Sequence, residues 1–141
     1  MKVLRSRDEV LPFVREWIEL LEGERYEEAL SALFQSKDHG ITVEYLRDVT
    51  RFYGNPEPFP DRKTFCVTSW KDAIKPDGGV VYQDVQWFDE AGKTRLLERG
   101  LAGQVHFDLP LNGEWSDMTA VFFIRMVEGG YALELERIEV L

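Results

Sequence analysis

Three prolines within five residues, at Pro56, Pro58 and Pro60, separate two parts of the chain that have different hydrophobic periods. A proline lacks the N–H that a helix interior or a central strand needs, so this stretch is predicted to be an extended surface connection. Apolar residues recur at helical spacing before it and alternate with polar residues after it. Neither part alone could bury both of its faces, which predicts one α+β domain over residues 1–141.

The part before the prolines carries three helical patterns. The first covers residues 10–21 and is predicted to end at Gly23 in a left-handed conformation. A short second helix is predicted over residues 26–33. Thr42 can serve as the N-cap of a third helix, which ends at Gly54.

The part after the prolines reads as strands joined by tight turns. Candidate strands cover residues 64–70, 80–88, 101–109, 119–127 and 131–140. Candidate hairpin turns, each with the glycine or asparagine that positive φ requires, lie at residues 76–79, 90–92, 112–113 and 128–130. The predicted fold class is α+β, with three N-terminal helices packed on a curved, mostly antiparallel sheet of about five strands.

The fourth candidate strand is apolar on both faces. Ala120, Phe122 and Ile124 share one face, while Val121 and Phe123 lie on the other. Helices cover one face of such a sheet, so the second face needs another cover. Two covers are open at this point: a homodimer whose sheets pack face to face, or a sheet that curls over itself.

The last candidate strand changes the side on which its apolar residues lie. Leu133 and Leu135 share one face, whereas Ile138 and Val140 have the opposite parity. One extra residue near positions 136–137, in a β-bulge, would restore the register and bend the strand.

The charge of the chain restricts its partners. Net charge is −9, with 9 basic and 13 acidic residues in positions 1–62 and 8 and 13 in positions 63–141. A nucleic-acid surface needs clustered Lys and Arg, which this distribution lacks, so we expect no nucleic-acid partner. A basic protein partner suits the acidic surface better.

Cysteine usage and hydropathy indicate the compartment. Cys66 is the single cysteine, so no disulfide within the chain is possible and a reducing setting is expected. Four of residues 5–9 are charged, which predicts no secretory signal here. The longest apolar run, residues 120–124, is far too short to cross a bilayer. We therefore expect a cytoplasmic protein without a membrane segment.

The layout resembles a known superfamily. Two helices meeting at EGERYEEAL (residues 22–30), a third helix and a run of long bent strands resemble the cystatin-like, or NTF2-like, α+β roll. Members wrap a curved antiparallel sheet around helices and often dimerise through the outer face. They keep a pocket between sheet and helices, and some are enzymes whereas many only bind. The polar, short stretch at residues 35–41 departs from the usual pattern, which has a long strand there.

The C-terminal part is similar to a second group of proteins. The runs GEWSDMT (residues 113–119) and LERIEV (residues 135–140) resemble small bacterial proteins of unassigned function. That similarity implies no activity for this chain.

One polar set could support catalysis. Tyr82 and Asp84 share a face of the second candidate strand, and His106 and Asp108 share a face of the third. If Asp84 lay in an apolar cavity it could act as a general base, assisted by Tyr82 or His106. The simpler alternative is that this polar face lies in water.

A second set could bind a partner. Trp70 and Trp115 are candidates for a pocket or contact surface, because aromatic side chains dominate interface energetics. Asp108 and Asp117 are candidate acidic groups for the same purpose, although Asp117 and Ser116 are also typical of residues that bond their own backbone in turns.

Motifs for bound groups are missing from the sequence. It contains no P-loop, dinucleotide fingerprint, zinc-ligand spacing or calcium loop, so we expect no cofactor and no metal. His39, beside Gly40, is expected in a solvated turn.

These observations give two hypotheses of different classes. The leading one is a non-catalytic, homodimeric binding protein that holds a basic protein partner or a small apolar ligand; an immunity-type protein that neutralises a basic toxin is one form of it. The alternative is a small pocket enzyme of isomerase, dehydratase or hydrolase type that uses Asp84 as base.

Overall fold

The computed structural model describes residues 1–38, 40–55 and 63–140. The described elements are a 3-10 helix Arg7–Glu9, α1 Val10–Glu22, α2 Tyr26–Ser31, α3 Val43–Arg51, β1 Gln83–Trp87, α4 Thr94–Glu98, β2 Leu101–Leu111, β3 Glu114–Val127 and β4 Gly130–Val140. The chain is therefore α+β, as predicted. The proline-rich connection and the turn expected at His39 lie outside the described residues.

The described strands form one antiparallel sheet in the order β1-β2-β3-β4, which is four strands and not the five predicted. The missing strand is residues 64–70, where only Val67 makes a bridge, to Leu111. β1 occupies the edge of β2 as far as Asp108, so little of that edge is left for a second neighbour. Part of the remainder is Pro110, which has no N–H to donate.

The connection between β1 and β2 also differs from the prediction. The glycine turn at residues 90–92 does not close a hairpin directly, because helix α4 follows it. This helix begins right after Lys93 and contains Leu96 and Leu97, both half-buried. The helix formers of α4 are the four residues after Thr94, and a pattern this short does not predict a helix from the sequence.

The beginning of α3 agrees with the prediction, whereas α3 ends at Arg51, three residues before the predicted Gly54, and the left-handed residue after α1 differs from the prediction by one position. Thr42 caps α3 as predicted, because its side chain accepts the N–H of Tyr45. At the end of α1, Gly23 has φ −81°, and the left-handed residue is Glu24 with φ 56°. Glu24 thus occupies the position that glycine usually takes in a helix-ending Schellman motif.

At the end of α1, the N–H of Arg25 donates to the carbonyl of Leu20 at 2.8 Å and the N–H of Glu24 to that of Leu21 at 3.0 Å, and the end of α3 has the same pattern. The N–H of Gly54 donates to the carbonyl of Val49 at 2.7 Å, and the N–H of Tyr53 donates to Thr50 at 3.3 Å. Tyr53 is left-handed with φ 53°. A bulky aromatic residue is uncommon in this conformation, which makes Tyr53 a position of local strain.

The sheet is bent by bulges. Between β3 and β4 the register moves from Val121 opposite Arg137 to Phe122 opposite Leu135, so Glu136 is the extra residue. The predicted bulge near residues 136–137 is confirmed. Two further irregularities, at Leu101/Gly103 and at Asp108/Pro110, bend β2.

The helices pack on one face of this sheet. Trp17 of α1 meets the ring of Phe122 of β3 edge to face, with centroids 5.1 Å apart. The indole N–H of Trp17 donates to the carbonyl of Ala29 at 3.0 Å, which joins α1 to α2. Both rings are fully buried, so this contact lies at the centre of the core.

The outer face of the sheet is partly covered by the chain itself. Val121 lies on the face of the sheet that points away from the helices, yet it is completely buried. It is flanked by His106 on β2 and Arg137 on β4. Phe123 is half-buried. One chain thus already shields Val121 from solvent, and Phe123 is the larger apolar group that stays in contact with water.

Among the described helices, none combines the length and apolar character needed to cross a membrane.

Candidate functional site

The loop before β1 folds around the tip of the β2–β3 hairpin. Asn112 and Gly113 both have positive φ, 52° and 84°, which closes the hairpin as predicted. On one side of the tip, Thr68 N–H donates to the carbonyl of Pro110 at 2.9 Å. On the other side, Ile74 donates to Gly113 at 2.9 Å and accepts from Trp115 at 3.0 Å. The loop is therefore held on both sides of the hairpin.

An open cleft of about 420 Å³ lies where this loop, the start of β3 and the end of α3 meet, and we call it the hairpin cleft. It is lined by Tyr53, Pro76, Gly79, Val80, Val81, Trp115, Ser116 and Asp117. Two of the predicted partner-binding residues, Trp115 and Asp117, lie here together. The structure adds residues that sequence reasoning assigned elsewhere, above all Tyr53.

Tyr53 joins α3 to β3 at the cleft. Its hydroxyl donates to the Asp117 carboxylate, across 64 residues of sequence. Its ring packs at 4.9 Å on Phe65. Trp115, half-buried, packs on the buried ring of Phe107 at 6.1 Å. The aromatic and acidic groups of the cleft are therefore held by packing against the core.

Ser116 has a local role. Its hydroxyl donates to the carbonyl of Leu109 at 2.7 Å and accepts the N–H of Met118 at 3.1 Å. Both bonds are to the backbone, as the sequence indicates for a turn-forming serine. A hydroxyl committed in this way is not poised as a nucleophile.

Three exposed apolar side chains lie on the loop that borders the cleft. Ile74 is 66% exposed, Val80 is 70% exposed and Tyr82 is 45% exposed. All three belong to the loop that folds around the hairpin. Large apolar side chains in contact with water indicate a contact surface for a partner when they form a continuous patch.

Asp108 is a buried carboxylate with a structural task. It is 2% exposed, and its oxygens accept the main-chain N–H of Tyr82 at 2.9 Å and the hydroxyl of Thr119 at 2.6 Å. Removal from water raises the pKa of Asp108, and the two hydrogen bonds only partly oppose that shift. This predicted partner-binding residue is thus not available to a partner in the folded chain.

The polar set proposed for catalysis does not form an enclosed site. Asp84 and His106 lie opposite each other on the neighbouring strands β1 and β2. Asp84 is exposed, and His106 is half-buried on the face away from the helices. No apolar cavity surrounds Asp84 among the described residues, because this face of β1 meets solvent.

Trp70 lies apart from the cleft. Its indole N–H donates to a carboxylate oxygen of Glu19 on α1 at 3.2 Å, and the Arg15 guanidinium stacks on its ring at 5.1 Å. Trp70 therefore attaches the loop to α1 and does not join Trp115 in one surface.

Two other clefts have similar volumes. One of about 440 Å³ runs along α3 and is lined by Thr42, Glu44, Tyr45, Asp48, Val49, Phe52, Gly54 and Asn55. One of about 420 Å³ contains Arg47, Arg51 and Cys66. Neither contains a residue that the sequence marked as a binding candidate, and neither borders the exposed apolar cluster. Within the described residues, no group of His, Cys, Asp and Glu is arranged to hold a metal ion.

The sequence did not reveal Tyr53 and Val80 as site residues. Tyr53 belongs to the apolar stripe of the third helix, and Val80 to a candidate strand. The one available signal was the pairing of Tyr53 with Gly54 at a helix end, which marks a change of direction but not its destination.

No family model, curated protein or solved structure matches this chain. The resemblance to the cystatin-like roll therefore stays a prediction.

Proposed function

We propose that this chain is a non-catalytic binding module, built as a variant of the cystatin-like roll and working in the cytoplasm, that holds a basic protein partner at the hairpin cleft. The observation that carries the proposal is the coincidence of exposed apolar and acidic side chains at one end of the sheet. Ile74, Val80 and Tyr82 supply the apolar part, and Asp117 lies in the cleft beside them.

The charges around the cleft favour a cationic partner. The loop, β1 and the start of β3 carry five exposed acids, Asp72, Asp77, Asp84, Glu114 and Asp117, against two exposed bases between positions 70 and 84, Lys71 and Lys75. This local excess has the same sign as the net charge of −9. Complementary charge speeds association and rejects acidic competitors, while the apolar side chains supply affinity that salt does not remove.

The cleft has the groups that receive a Lys or Arg side chain. An aromatic face attracts a cation, and Trp115 and Tyr53 line the same cleft. The Asp117 carboxylate lies beside them, and its contact with the Tyr53 hydroxyl fixes its orientation. A cationic side chain of the partner could therefore pack on a ring and pair with a carboxylate at once.

A small apolar ligand is the weaker form of the binding hypothesis. Ligand pockets bury most of their ligand, whereas the hairpin cleft is open and bordered by carboxylates. A basic toxin neutralised by an immunity-type protein is one partner of the required chemistry.

A homodimer across the outer sheet face stays a prediction. Since Val121 is already shielded within one chain, Phe123 is the side chain that such a dimer would cover. A Phe123→Asp variant would convert a dimer of this kind to monomers in sedimentation, and an unchanged dimer would exclude this face.

Site-specific photo-crosslinking in the native host tests the proposed function. A photoreactive phenylalanine analogue at Val80 is compared with the same residue at Glu27, which is exposed on α2 and does not line the cleft. We expect one protein of basic isoelectric point to be captured from Val80 and not from Glu27. Capture should fall steeply as salt rises during lysis. Equal capture from both positions, or an acidic partner, would reject the proposal.

A further inference from the structure

The two edge strands of the sheet differ in whether their outward main-chain groups are hydrogen-bonded. β4 is covered along its outer edge: Leu4 and Tyr131 exchange two main-chain hydrogen bonds of 2.7 Å, and Phe34 N–H donates to Leu133 at 2.7 Å. Farther along, Ile138 N–H donates to the hydroxyl of Tyr45 at 3.0 Å. The outward groups of β4 at these positions are therefore satisfied within the chain.

The outer edge of β1 has no such cover. The N–H of Asp108 donates to the carbonyl of Tyr82, and the N–H of Phe88 donates to the carbonyl of Ala102, both at 2.9 Å. The main-chain N–H and C=O groups of the even-numbered residues therefore point toward β2. By alternation, the N–H and C=O groups of Gln83 and Val85 point away from the sheet. No hydrogen bond joins these outward groups to any residue in the part of the chain that the structure describes.

Three of the devices that protect an exposed edge, lysine, proline and a bulge, are missing from β1, whereas its short length and the charge of Asp84 restrict which strands can pair with it. The sequence of β1 between Gln83 and Trp87 contains neither lysine nor proline, and its register with β2 is continuous. The strand begins two residues after Val81, so its free edge continues directly from the hairpin cleft.

We propose that the free edge of β1 takes up an extended, basic segment of the partner as an additional antiparallel or parallel strand. This rests on the proposed function, because it names how the same basic partner is held next to the cleft. Main-chain hydrogen bonds to Gln83 and Val85 supply affinity in this mode, and side chains of the added strand supply specificity.

Charge selects a basic segment over a second copy of this chain. Asp84 is exposed on β1 and lies next to the free groups, so an added strand with Lys or Arg opposite it gains a cross-strand ion pair. Two copies each carrying −9 would repel when their edges approach. The Asp84 carboxylate and the negative net charge therefore favour a cationic strand over a second copy of this chain.

The test uses the full chain and a defined probe, a peptide of about eight residues that alternates Lys and Val. A matched peptide alternating Glu and Val controls for charge. Amide hydrogen exchange, followed residue by residue by NMR, should show the exchange of Val85 slowed by about tenfold or more with the Lys peptide only. Protection confined to other residues, or none at all, overturns the proposal.

A pair of variants checks the role of the main chain. Val85→Pro removes one outward N–H and is tolerated on an edge strand, whereas Val85→Leu keeps the N–H and an apolar side chain. We expect Val85→Pro to weaken binding of the Lys peptide roughly three- to tenfold, as for loss of one hydrogen bond, and Val85→Leu to bind as wild type. Equal affinities for the two variants would overturn the proposal.

Failure of this proposal is distinguishable from failure of the proposed function. If the cellular partner is captured at Val80 but the Val85 amide exchanges unchanged, the cleft binds and the edge does not. If the free protein dimerises with Val85 already protected, a second copy fills the edge and the basic strand is excluded.

Discussion

The carboxylate of Asp108 accepts the main-chain N–H of Tyr82 at 2.9 Å, at the point where β2 leaves its regular register. A side chain here does what a backbone carbonyl does in a regular ladder. The other oxygen accepts from Thr119 of β3 at 2.6 Å, so Asp108 of β2 joins β3 to the residue that precedes β1. It therefore fixes where the loop ends and where β1 begins.

Replacement of Asp108 should separate its hydrogen bonds from its charge. Asp108→Ala leaves the Tyr82 N–H and the Thr119 hydroxyl without a buried acceptor, and we expect a loss of about 1–3 kcal/mol in the free energy of unfolding. Asp108→Asn can still accept from Tyr82 and donate to Thr119, so it should lose clearly less. Urea denaturation at neutral pH measures both. Equal losses would contradict this role of the side chain.

The pH dependence of stability provides a separate prediction. Burial raises the pKa of Asp108, so the folded chain holds this proton more tightly than the unfolded chain. Its contribution to stability is therefore present at acidic pH and is lost as pH rises through the folded pKa. The free energy of unfolding of wild type, minus that of Asp108→Asn, should fall across this window. A difference that rises with pH would show that the sign of the shift is wrong.

Two left-handed helix ends predict opposite results for glycine substitution. Glu24 is exposed, its side chain makes no hydrogen bond to a described residue, and its φ of 56° strains any residue but glycine. Glu24→Gly should stabilise the chain by about 1 kcal/mol. Tyr53→Gly relieves the same strain but loses the contacts with Phe65 and Asp117, so it should not stabilise. Thermal unfolding of both variants measures these changes. If Tyr53→Gly stabilised the chain, the contacts of Tyr53 with Phe65 and Asp117 would not contribute to stability.

Gly103 should be intolerant of any side chain. A Cβ there would lie 2.5 Å from the carbonyl oxygen of Gln86 and 3.1 Å from Ile124. We expect Gly103→Ala to cost about 1–3 kcal/mol, as overpacking does. Gly40→Ala is the control, since a Cβ at Gly40 meets nothing within 4 Å, and it should change stability by less than about 0.5 kcal/mol. Urea midpoints that are equal for both variants would contradict the close approach at Gly103.

Hydrophobic periodicity predicted the parts of the fold that depend on local pattern. The α+β class, the Thr42 cap, the Asn112-Gly113 hairpin and the bulge at Glu136 all follow from neighbouring residues. Parity grouped Asp84 with Tyr82 and His106 with Asp108, and the structure adds the register that sets Asp84 opposite His106. These features could be predicted because each is determined within a few residues of the chain.

The errors arose where distant segments compete. Apolar and polar residues alternate over residues 64–70 as in a strand, but most of the edge of β2 is paired with β1. The pattern indicated that Asp108 is an exposed acid of a polar face, but it is buried, because Tyr82 of the loop and Thr119 of β3 supply hydrogen-bond donors. The hairpin cleft could not be predicted, since Tyr53 and Asp117 meet across 64 residues.

The dissociation constant of the captured basic partner, measured by calorimetry at low and high salt, tests the central claim most directly. Asp117→Asn is compared with Glu27→Gln, which removes the same charge from α2, away from the cleft. We predict that Asp117→Asn weakens binding roughly three- to thirtyfold and flattens the salt dependence, while Glu27→Gln changes affinity less than about twofold. Equal effects of the two substitutions, or an affinity of the wild type that salt does not change, would contradict binding of a cationic partner at the hairpin cleft.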